Sequence, residues 1–98
     1  MPRLLSKAEV LAYAREIKRE RPSITTEELR QFLQARFIYG VDPLAQAHAQ
    51  GLTIGAIDNP WDWLAGLLAI ARGISRLMNE DSGGVSEIIG GVLIIVQQ

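Results

Sequence analysis

Three groups of side chains are of the kinds that carry chemistry. His48 is the sole imidazole in a chain of 98 residues without cysteine, so a metal site would need carboxylates such as Asp42 to converge on it. No spacing in the sequence brings them together, and a histidine at the solvent face or the core edge accounts for it better. General acid–base catalysis needs an acid, a base and a nucleophile placed side by side. No single element carries such a set. A phosphate-cradling loop is missing as well, because Gly83-Gly84 and Gly90-Gly91 lack the spacing and the lysine. The chemistry-bearing residues therefore point away from an enzyme and imply no metal or cofactor.

The second group is basic. REIKRER, Arg15 to Arg21, places Arg15, Lys18, Arg19 and Arg21 within seven residues, and Arg30 follows on the next predicted helix. These five are the candidates for contacting phosphates. Glu16 and Glu20 dilute the run, and cations near a helix C-terminus also complement its dipole and pair with neighbouring acids. Two predicted helices joined through Tyr39-Gly40-Val41-Asp42 could form a helix-turn-helix, whose second helix must enter the major groove. That helix, PLAQAHAQ, offers Gln46, His48 and Gln50 to bases but no Lys or Arg to phosphates. Arg36 and Gln46 also fall where such a motif needs small or apolar residues.

The third group is apolar. Trp61 and Trp63, two positions apart, point about 200° apart on a helix, so one of them faces something other than the core. The residues expected to form a protein interface are Trp61, Trp63, Leu67, Ile70, Ile74 and Leu77, with Ile88, Val92, Ile94 and Val96 near the end of the sequence.

These groups must be positioned by helices whose starts are written in the sequence. Ser6 with Glu9, and Thr25 with Glu28, are capping boxes, in which side chain and backbone satisfy each other's free hydrogen-bonding groups. The first opens a helix at Lys7 with an apolar stripe of Val10, Tyr13, Ala14 and Ile17, ended by Pro22. The second opens a helix carrying Leu29, Phe32, Leu33 and Phe37, with Gly40 placed to end it. Asp42-Pro43 and Asn59-Pro60 repeat a cap-then-proline signal. They predict helices from Pro43 to Gln50, stopped by Gly51, and from Pro60 to about Met78. Leu52 to Ile57 reads as a linker, and Asn79 to Gly84 as a loop.

The last segment, VSEIIGGVLIIVQQ, is a helix apolar almost all round or a strand. A strand over 91–96 would find its partner only in 52–57, and a lone two-stranded ribbon is marginal in water. The pattern therefore predicts an all-α fold, a small bundle of four to five short helices. Helix 60–78 is expected at its centre, with the C-terminal segment along it. The alternative is α+β with a ribbon from 52–57 and 91–96.

Composition sets the limits. Hydrophobic residues make up 48% and charged ones 21%, which is globular rather than disordered, and 98 residues make one domain, 1–98. A net charge of −1 provides no overall cationic field. Residues 1–50 hold eight basic side chains against six acidic, and 51–98 hold two against five. A charged amphipathic half thus precedes an apolar half. The start lacks the apolar run of a secretory signal, so the expected location is cytoplasmic. The stretch from Trp63 to Ala71 is far short of the ~20 residues that cross a bilayer, so no integral span is expected.

Residues 64–96, an apolar helix, a glycine turn (NEDSGG) and a glycine-containing apolar helix (SEIIGGVLIIV), resemble the two-helix hairpin of conjugative pilin subunits of type IV secretion systems. That resemblance implies an assembly subunit. Arg72, Arg76 and Glu87 depart from the pattern by lying inside the apolar runs. The expected function is a non-enzymatic structural or adaptor subunit that self-associates or docks on a larger protein through its apolar C-terminal half. The alternatives are a nucleic-acid-associated regulator dimerising through helix 60–78, and a peripheral-membrane or filament subunit of the pilin kind.

Overall fold

The computed structural model describes residues 6–74 and 82–97, with side-chain placement for 6–69 and 84–97. The elements in order are α1 (Lys7–Glu20), α2 (Thr26–Phe37), α3 (Pro43–Ala49), a 3₁₀ turn (Ile54–Ala56), α4 (Pro60–Ile74) and α5 (Ser82–Val96). The fold is a small all-α bundle, with no strand among the described residues. The ribbon alternative is excluded, since 52–57 holds the 3₁₀ turn and 91–96 is the second half of α5.

Each cap forms where the local chemistry demands it. The Ser6 hydroxyl accepts the Glu9 N–H at 3.2 Å. Thr25 and Glu28 make both halves of their box, and Asp42 Oδ1 accepts the Ala45 N–H at 3.1 Å. Asn59 accepts the Asp62 N–H at 3.2 Å and donates to the Asp62 carboxylate at 3.0 Å. Gly40 and Gly51 both adopt φ +75°, the left-handed backbone that lets a chain leave a helix without a Cβ penalty. α3 ends at Ala49, one residue before the expected Gln50.

The core shows which helix is central. Val10, Ala14 and Ile17 of α1 meet Leu29, Phe32 and Leu33 of α2, and Ile89, Val92 and Leu93 of α5 close over them. Among the described residues α5 packs chiefly against α1 and α2, whereas α4 touches α2 and buries Leu64 and Leu68. The expected arrangement, with helix 60–78 in the middle and the tail along it, is therefore replaced by one in which α5 is clasped by α1 and α2. The reason is the match of stripes. α1 and α2 each offer a continuous buried row, and burying one aliphatic side chain there contributes about 1.5–3 kcal/mol. The assembly measures 35 × 33 × 21 Å, two helix layers thick.

Candidate interaction surface

Apolar side chains left in water mark the surface. Among the described residues the large exposed hydrophobics are Ile94 (67%), Trp61 (42%), Leu52 (42%) and Ile95 (37%). Ile94 and Ile95 stand on the side of α5 turned away from Ile89, Val92 and Leu93. Trp61 projects from the first turn of α4, one residue before the capping partner Asp62. Trp63 is half-buried against the core, and so are Ile88 and Val96; Leu67 is half-buried.

Val92 corrects the sequence reading. It is fully buried within its own chain, because it lies on the stripe of α5 that seals α1 against α2, and so it offers nothing to a partner. Ile70, Ile74 and Leu77 lie outside the residues whose side chains are described.

The basic candidates divide in the same way. Arg15 and Arg19 are exposed on α1 and Lys18 is half-buried. Arg30 pairs with Glu27 at 3.0 Å on α2. Arg21 is half-buried and its Nη1 donates to the Ile54 carbonyl at 3.1 Å and the Ile57 carbonyl at 3.0 Å. A guanidinium carries five N–H donors, and here the two on Nη1 fasten the 3₁₀ turn to the end of α1. Glu20 completes this clasp. One oxygen accepts the Ile54 N–H at 3.1 Å, and the other lies 2.7 Å from His48 Nε2. His48, half-exposed on α3, thus belongs to a structural connection between α1 and α3.

A second cluster escaped the sequence reading. The Tyr13 hydroxyl donates to Asp42 Oδ1 at 2.5 Å and accepts the Leu44 N–H at 3.2 Å. Arg36 lies 3.5 Å from the other Asp42 oxygen and stacks over the Tyr13 and Phe37 rings. Those rings meet edge to face, with centroids 5.7 Å apart. Burial first, and the bond to Asp42 second, push the Tyr13 ionisation far above its ordinary value. The phenol is thereby held neutral and serves as a strut. Beside it opens a shallow groove of about 290 Å³ lined by Glu9, Ala12, Tyr13, Glu16, Arg36 and Phe37. Asp42 and Arg36 are 29 and 23 positions from Tyr13 in the chain, and helical spacing carries no signal for contacts between helices.

Among the described residues no three His, Asp or Glu side chains converge as a metal cage would require. No described helix is long and apolar enough to cross a membrane. No family model, curated protein or solved structure matches the chain. The class defined by fold and surface is therefore a small all-α bundle with apolar side chains exposed on α4 and α5.

Proposed function

We propose that the chain is a non-enzymatic structural or adaptor subunit that docks on another protein surface, its own copy or a larger partner, through the outer side of α5. The single observation that carries this reading is Ile94. It is 67% exposed on a helix whose opposite side is core, and Ser82–Val96 holds one charged residue, Glu87. Scattered apolar residues at a surface need no explanation, but grouped ones mark contact sites. Ile94 and Ile95 are neighbours at one end of a helix that carries one charge of its own, with the Lys7 side chain lying beside Gly91. The charged outer sides of α1 and α2 would then remain solvated.

A photoreactive amino acid placed at Ile94 in the native cellular setting tests the reading. Covalent adducts with protein are expected. Recovery of the chain without any protein adduct would overturn it.

A further inference from the structure

We infer that the basic side of α1 is a second docking surface, and that its occupant is an acidic amphipathic helix of another protein. Under the α5 reading this side of α1 stays in water, so it is open to a further partner, and neither surface depends on the other.

Helix geometry undoes a dilution that the linear sequence suggests. In REIKRER, Glu16 and Glu20 interrupt the cations. At about 100° per residue, however, Lys7, Arg15, Lys18 and Arg19 fall within an arc of about 120°, and Glu9, Glu16 and Glu20 gather on the other side within about 40°. The contacts follow the same division. Glu9 and Glu16 line the groove beside Tyr13, Arg36 and Phe37, and Glu20 is turned to the Ile54 N–H and His48. The acids of α1 thus face α2, α3 and the 3₁₀ turn, and its cations lie away from them.

Arg15, Lys18 and Arg19 are neighbours at i, i+3 and i+4, where like charges repel. Among the described residues no ion pair reaches these three or Lys7. The helix dipole accounts for Lys18 and Arg19 in the last turn, but it fades before Arg15, one turn earlier. Lys7 bounds the surface at its other end, its amine lying over Gly91 of α5 one turn from Glu87. The free fold therefore carries a cationic cluster without compensation, and carboxylates laid along it relieve the repulsion.

The floor of the surface identifies the kind of anion. Between Lys7 and Arg15 the same side shows the exposed Ala8 and the half-buried Leu11, small apolar ground on which a second helix can rest closely. A phosphate backbone has no use for that ground, and so few cations release few counterions on a chain of net charge −1. Glutamates at i, i+3 and i+4 of a partner helix obey the same repeat as the three cations and meet them with charge-assisted hydrogen bonds.

Fluorescence anisotropy of a labelled helical peptide of Glu, Ala and Leu, with glutamates at that spacing, tests the inference on the full chain. Saturable binding is expected at low ionic strength and should weaken with added salt. Arg15→Gln should weaken it about threefold, and Arg15→Gln together with Arg19→Gln about tenfold. Arg30→Gln removes the same charge from α2, where Arg30 already pairs with Glu27, and should leave binding unchanged. Arg15→Glu with Arg19→Glu should lose the acidic peptide and gain its lysine counterpart, an exchange that a folding defect does not produce. Absence of saturable binding at low salt, or an equal loss with Arg30→Gln, overturns the inference. Duplex DNA bound more tightly than the peptide through the same arginines overturns it as well, because the surface is then a polyanion site. None of these results bears on Ile94 photo-adducts, so the α5 reading stands or falls separately.

Discussion

The Tyr13 hydroxyl donates to Asp42 and accepts from the Leu44 N–H, so α1 and the start of α3 are joined through one oxygen. Tyr13→Phe removes both bonds and orphans a backbone donor, and the expected loss is about 1–2 kcal/mol in denaturant unfolding. The same residue sets an alkaline limit. Its ionisation is raised above the ordinary value of 10.0 by burial and by Asp42, so the folded state keeps a proton that the unfolded state releases. The stabilising effect is complete below pH 10 and declines as pH rises through that value. Unfolding followed against pH should show the decline, and Tyr13→Phe should lack that part of it. Gly55 is constrained differently, since a Cβ there would collide with the Glu20 backbone carbonyl oxygen. Gly55→Ala is expected to cost about 1–3 kcal/mol through strain in the 3₁₀ turn, measured as a lowered urea midpoint. An unchanged midpoint would contradict that close approach.

At the scale of elements, the starts of α1 to α4 were legible, whereas α5 begins at Ser82, inside the segment 79–84 read as a loop, of which 79–81 lie outside the described residues. Ser6, Thr25, Asp42 and Asn59 act within three residues of themselves, so their effect needs no knowledge of the fold. The stripe on α1 was equally clear, because Arg15, Glu16, Lys18 and Arg19 fill the rest of its circumference. α5 gave no such direction. Its sequence is apolar nearly all round, so periodicity could not tell that Val92 faces inward and Ile94 outward. Arg21 was read as a candidate phosphate contact or a dipole partner, but its carbonyl acceptors lie 33 and 36 residues away, beyond any local pattern. The site was thus half visible: its residue types could be read, and their orientation required the packing of α5 on α1 and α2. A chain truncated after Gly84 loses Ile89, Val92 and Leu93 and uncovers the rows of α1 and α2. It is expected to lose cooperative unfolding in circular dichroism, and a well-folded product would refute the placement of α5.

For the molecule as a whole, charge and shape decide which partners suit it. Net charge is −1, Arg21 is occupied by carbonyls and Arg30 by Glu27. Among the basic residues first read from the sequence, Arg15, Lys18 and Arg19 have no carbonyl or acid partner of that kind, on a helix that also presents Glu16. Counterion release scales with the number of phosphates neutralised, so the chain is expected to pass through immobilised duplex DNA at low ionic strength. Retention that weakens steeply with added salt would revive the nucleic-acid alternative.

The position of α5 in the core has a consequence for biosynthesis. α1 and α2 emerge from the ribosome long before Ile89, Val92 and Leu93 are translated, and until then Val10, Ile17, Leu29 and Leu33 lack their lid. Long-range closure of this kind delays folding and leaves sticky surface uncovered in the interval. An incomplete chain would therefore present to water the apolar rows that α5 covers in the finished fold.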